Sequence, residues 1–110
     1  MSARLNRLLT LEEEVRAADG AGGFTTQWTT KGTLWAEVRP GTGREQGADF
    51  LTYATVPYRI TVRAAPHGAP SCPVAGQRLR EGARIFRVLA VADTEAGLFL
   101  TCFCHEEVPR

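Results

Sequence analysis

Tyr58-Arg59-Ile60-Thr61-Val62-Arg63 is the stretch that decides the fold class. Tyr58, Ile60 and Val62 fall on one face and Arg59, Thr61 and Arg63 on the other, the period-two alternation of a half-buried strand. Just before it, Phe50 to Val56 also has strand character, and Pro57 interrupts the two. Proline has no N–H to give to a ladder, so the join is expected to be a bulge or to lie on a sheet edge.

Working outward, the same kind of signal recurs. Upstream, Phe24 to Thr30 and Thr33 to Val38 are rich in aromatic and β-branched residues and read as strands, with Lys31-Gly32 as a turn between them. Asp19-Gly20-Ala21-Gly22-Gly23 is a turn, because glycine accepts positive φ without steric cost. The first segment is ambiguous. Leu5, Leu8, Leu9, Glu12 and Val15 have near-helical spacing, whereas Leu9, Leu11, Glu13 and Val15 alternate like a strand; local propensity leans towards helix. Downstream, residues 66–73 form a turn-rich connection, Arg78 to Glu81 a short strand, and Glu81-Gly82-Ala83 a tight turn. Ile85 to Ala92 is a nearly continuous apolar run, as in a strand covered on both faces. Asp93 to Gly97 makes a last hairpin turn, Leu98 to His105 a closing strand, and residues 106–110 a charged tail.

Short strands separated by glycine-bearing turns, with no long helix, indicate an all-β chain: a small β-barrel or sandwich with a long loop between early strands. The expected core includes Ile60, Val62, Phe86 and Val88. With no internal repeat and no linker, residues 1–110 are expected to form one domain.

The chain has 110 residues, 44% apolar and 23% charged, the balance of an ordinary globular domain. A core of this size leaves a thin stability margin, so partner subunits could add to its order. Thirteen basic against 12 acidic residues leave a net charge of +1, which argues against a dedicated nucleic-acid binder. The N-terminal segment lacks the apolar core of a signal peptide, and no run approaches the ~20 residues that cross a bilayer. Synthesis in the cytosol and no membrane role are expected. Three cysteines, Cys72, Cys102 and Cys104, are a poor disulfide framework.

Cys102-Phe103-Cys104-His105 is the most chemically suggestive motif. On a strand Cys102 and Cys104 share one side and His105 takes the other, and only Cys72 and His67 remain as distant ligands. A zinc site needs about four convergent ligands, so core cysteines are the better reading and no metal or cofactor is expected. A cysteine nucleophile would need a base beside it and a lowered pKa. The acidic clusters at Glu12–Glu14 and Glu106–Glu107 read as solvated charge, and no phosphate-binding loop is present. No catalytic activity is expected.

Two features remain. Trp28 and Trp35 are core or edge anchors, or else subunit contacts, where tryptophan and arginine are enriched. Twelve of the 13 basic residues are arginine, which suits interfaces and equally a GC-rich genome. The polar, glycine-rich stretch from Arg39 to Asp49, with charges at Arg44, Glu45 and Asp49, is long enough to be either functional or a disordered excursion.

The order of elements carries a resemblance. Asp19-Gly20-Ala21-Gly22-Gly23-Phe24, Trp28 and Gly32-Thr33-Leu34-Trp35-Ala36-Glu37-Val38 come first. After the long loop follow Tyr58 to Arg63, Gly82-Ala83-Arg84-Ile85-Phe86-Arg87-Val88-Leu89-Ala90-Val91 and Leu100-Thr101-Cys102. Together they resemble the head–tail joining (head-closure, or stopper) family of tailed phages and gene transfer agents, over nearly the whole chain. The resemblance implies a β-barrel in a ring, a hexamer favoured over a dodecamer, at the neck of a virion or phage-like particle. A portal or adaptor ring would lie above it and a tail terminator or tail tube protein below. Packaged double-stranded DNA would pass through the channel without sequence specificity. It also implies that Leu8 to Arg16 is a strand and that the Arg39–Phe50 loop faces the channel. That loop offers Arg39, Gly41, Gly43, Arg44, Glu45, Gln46, Gly47 and Asp49, while Trp28, Trp35, Arg59 and Arg63 are the interface candidates. The Glu12-Glu13-Glu14 run is more acidic than the family's first strand leads one to expect.

Other readings are a neighbouring connector component, such as an adaptor or tail terminator, or a small barrel that stacks single-stranded nucleic acid on Trp28, Trp35 and Tyr53. A thiol enzyme is the third.

Overall fold

The computed structural model describes residues 4–41, 55–66, 68–94 and 97–107. Six strands make up the described structure: β1 (Arg7–Ala18), β2 (Phe24–Pro40), β3 (Thr55–Arg63), β4 (Arg78–Glu81), β5 (Arg84–Thr94) and β6 (Phe99–Glu107). All neighbouring pairs are antiparallel, and the sheet closes in the order β1-β2-β3-β6-β5-β4. Closure gives each of the six strands a partner on both sides over part of its length.

The inward positions are apolar at every second residue. Leu9 and Leu11 from β1, Ala36 from β2, Ile60 and Val62 from β3, Leu79 from β4, Phe86 and Val88 from β5, and Leu100, Cys102 and Cys104 from β6 form one core. The four residues expected there from the sequence are all fully buried. Tyr58 packs edge-on against Phe86, with ring centroids 5.2 Å apart.

The first segment is a strand, as the family resemblance implied. Pairing along twelve positions, from Arg7↔Ala36 to Ala18↔Phe24, outweighs a local preference for helix. Three features of the sequence reading need correction. Lys31-Gly32 is not a turn: β2 runs through it for 17 residues, and Lys31 is the extra residue of a bulge, with Leu11 opposite Gly32 and Glu12 opposite Thr30. Gly32 takes a φ of 147°, a region few other residues enter. The apolar run in β5 is not covered on both faces. Phe86 and Val88 point inward, whereas Leu89 and Ala90 are exposed at a second bulge between Val88 and Ala90.

Pro57 sits within β3. Its carbonyl accepts a hydrogen bond from Gly41 N (2.9 Å), just beyond the last β2–β3 pair, Pro40↔Tyr58. The missing donor therefore falls just past the end of the β2–β3 ladder, and Pro57 sits at neither a bulge nor a sheet edge but near the end of a strand inside the closed sheet.

β4 pairs with β1 only at Thr10 to Glu12. Beyond that point β1 and β2 continue as a two-stranded arm. Its tip is tied by Asp19, whose carboxylate accepts from Ala21 N (2.8 Å) and Gly23 N (3.0 Å). Those two backbone donors hold the Asp19 carboxyl below its ordinary pKa.

Candidate functional site

β2 and β3 bring Trp35 and Arg63 together. Ala36 pairs with Val62 and both face the core, so Trp35 and Arg63, one step on, face outward. They line a shallow groove with Leu5, Thr33 and Leu34. Arg59 lies four residues back on the same outer face of β3, with its guanidinium 5.8 Å from the Phe103 ring. Trp35 and Arg63 thus share one outer groove, while Arg59 leans towards Phe103 and Leu89 in another.

Trp28 stands apart from them. On the arm it meets two arginines of the barrel: the Arg78 guanidinium carbon lies 4.2 Å from the ring and that of Arg87 5.0 Å. Behind this contact, buried Glu12 accepts from Arg78 Nε (2.5 Å) and pairs with Arg80 (3.0 Å). The acidity that looked out of place in a first strand is thus neutralised by β4. Of the other two glutamates, Glu13 pairs with Lys31 (3.2 Å) and Glu14 approaches Arg87 (4.0 Å).

Of the long loop, Arg39 and Gly41 are described, while Gly43, Arg44, Glu45, Gln46, Gly47 and Asp49 lie outside the described residues. Arg39 Nε is 3.5 Å from Glu37. The loop leaves the barrel at a charged end. There Arg84 donates to both oxygens of Glu106 (2.8 and 3.1 Å) and to Tyr58 Oη (3.2 Å). Arg7 bridges to Glu81 and Arg87 to Glu107 (3.2 Å). Hydrogen bonding to Glu106 raises the Arg84 pKa further, and hydrogen bonding to Arg7 lowers that of Glu81.

The cysteines sit in the core. Burial pushes the Cys102 thiol up to about 12 and that of Cys104 higher still, the opposite of what a nucleophile needs. His105 lies across the strand from them, and His67 is outside the described residues. Among the described residues no group of three or more His, Cys, Asp or Glu could hold a metal.

The sequence reading missed the Arg78–Trp28–Arg87 stack and the apolar residues on the outer wall, Leu8, Leu89 and Phe103. The signal for Leu89 was present: Val88-Leu89-Ala90-Val91 is apolar without alternation, and an exposed bulge satisfies that pattern as well as two-sided burial does.

The profile of phage head completion proteins matches residues 1–107. The chain belongs to the phage head completion protein family. Among solved structures, a chain in the virion of a native gene transfer agent particle is 57% identical. The match covers 97% of this chain and 98% of that one, with a TM-score of 0.80. A Shigella flexneri 2a protein known from its solution structure is 22% identical over 98% and 97% of the two chains, with a TM-score of 0.70, and shares the fold. No curated protein matches the sequence. Family and relative together make this chain a virion structural protein of the phage or gene-transfer-agent type.

Proposed function

We propose that this chain is a head-closure, or stopper, subunit: a ring of copies beneath the portal or adaptor that retains packaged DNA and docks the tail. The observation that carries this reading is the end-to-end, 57% identical match to a chain of a native gene transfer agent virion. The whole chain acts as one connector domain, mechanically and without a catalytic step. Trp35, Arg59 and Arg63 belong to its contacts with other subunits, while Trp28 serves the arm.

The barrel suits such a part. A closed, salt-bridged end gives a rigid base, and the polar segment from residue 39 to residue 50 starts from that end. In this reading that segment serves the channel through the ring and not the core. DNA passing through would meet side chains at the axis, with no sequence readout required.

Particles made without this chain test the reading. Heads should fill and then lose DNA, and tails should remain unattached in micrographs. Restoring the chain should restore joined particles with density at the neck. DNA-filled, tailed particles in its absence would overturn the proposal.

A further inference from the structure

Four of the exposed large apolar side chains stand in pairs on two walls of the barrel; the others lie on the arm (Val15, Phe24), on β3 (Val56) and between strands (Val74, Leu98). On the β1–β2 wall Leu8 and Trp35 are 46% and 56% exposed and stand directly opposite each other in the ladder. On the β5–β6 wall Leu89 and Phe103 are 51% and 38% exposed, and both line one groove with Pro57 and Arg59. In the closed order β1-β2-β3-β6-β5-β4, β1 lies three places from β6, and β2 three places from β5. The two walls are therefore opposite sides of the barrel.

Their composition is that of interface centres. Each pairs an aromatic and a leucine with a neighbouring arginine, Arg63 beside Trp35 and Arg59 over Phe103. The second wall carries the bulge between Val88 and Ala90, which leaves Leu89 and Ala90 both outward beside buried Val88. A closed ring of identical subunits needs two different surfaces, suitably opposed, that meet head to tail. A two-strand wall about 30 Å long and about 15 Å wide offers roughly 450 Å² per partner, so about 900 Å² per contact, the size of a weak contact that closure of a ring must reinforce. Each copy in a ring makes two such contacts.

Resting on the ring reading above, we infer that the β1–β2 wall of one copy, centred on Leu8 and Trp35, packs against the β5–β6 wall of the next, centred on Leu89 and Phe103. The occupant of each wall is a second copy of this chain. Contact around the girth leaves both barrel ends uncovered: the end where β2 finishes at Pro40, and the end where the arm projects. Those ends can then meet other components above and below the ring.

Paired cysteines placed on the two walls test this in assembled particles. The native cysteines are all buried, so a short bismaleimide reads only the introduced thiols. Trp35→Cys with Leu89→Cys in one chain should give a ladder of dimers, trimers and larger species, and either substitution alone should give none. Leu8→Cys with Phe103→Cys repeats the test should the first pair fail to incorporate. Dimers from a single substitution would mean that like walls meet, which overturns the assignment. Absence of a ladder from particles that still show a neck ring would overturn the assignment and leave the ring standing. Loss of the wild-type chain from purified particles would sink both.

Discussion

The indole of Trp28 lies 4.2 Å from the guanidinium carbon of Arg78, and this contact fastens the projecting arm to the barrel. A two-stranded ribbon is marginally stable by itself, so the arm needs such an anchor. Arg78 is fixed from behind by Glu12, and Arg87 meets the same ring from β5.

Trp28→Ala should therefore loosen the arm while sparing the core. Each cation–π contact is worth about 0.5–2 kcal/mol, so the loss should be about 1–3 kcal/mol in denaturant unfolding. Amide exchange should speed up selectively in residues 13–30. An unchanged arm combined with failed assembly would instead place Trp28 at a subunit contact.

Phe86 carries the largest fully buried side chain, and Tyr58 leans edge-on against it. Phe86→Ala should cost about 3–5 kcal/mol, the usual range for deleting a core aromatic. Urea titration of wild type and variant measures it directly. A loss below about 1 kcal/mol, the surface range, would mean the inward face of β5 is misassigned.

Much of this fold was legible because inward positions alternate. Ile60 and Val62, then Phe86 and Val88, announce the buried face without any knowledge of partners. The strand character of β1 was not legible locally, since Leu5, Leu8, Leu9 and Glu12 fit a helix equally well; its ladder with β2, distant in sequence, decides it. Both bulges escaped for a related reason. An extra residue at Lys31 or Leu89 breaks the period without leaving a distinctive residue type, and glycine at position 32 signals a turn as readily as a bulge. Of the candidate surface, Trp35 and Arg63 could be named from composition. Their pairing and the separate task of Trp28 depend on register and on arm placement.

The Arg7–Glu81 bridge should make stability fall in acid. Arg7 holds the Glu81 carboxyl below its ordinary value of 4.5, so the folded state binds a proton there less readily than the unfolded chain. Its contribution is complete above that ordinary value and is lost as pH falls through the lower folded value. Glu81→Gln should be less stable at neutral pH and should flatten this part of the acid profile. Equal acid slopes for wild type and variant, in melts between neutrality and about pH 3, would remove Glu81 from the explanation.

Cysteine accessibility gives an independent check on β6. Cys102 and Cys104 point into the core, and burial holds the Cys102 thiol at about 12, far above its ordinary value. Native protein at pH 8 should take up almost no iodoacetamide at these positions, whereas denatured protein should react at all three cysteines. Rapid native labelling of Cys102 or Cys104 would mean that β6 is turned over by one residue, which moves every side chain to the opposite face.

The segment between β2 and β3 should matter to particles and not to the stability of the barrel. Its root is fixed where Gly41 N meets the Pro57 carbonyl, after which the chain must return to β3. Closing a loop becomes only slowly more costly with length, so removing residues 43–48 should change monomer stability by less than about 1 kcal/mol. The ladder from Pro40↔Tyr58 inward should survive, because none of its pairs involves the deleted residues. Particles carrying the shortened chain should fill their heads and then leak DNA or fail to join tails. Thermal melts of the monomer, set beside counts of tailed, DNA-retaining particles, separate the two effects. A much lower melting temperature would make the segment part of the fold, and fully joined, transfer-competent or infective particles would remove it from the closure of the channel.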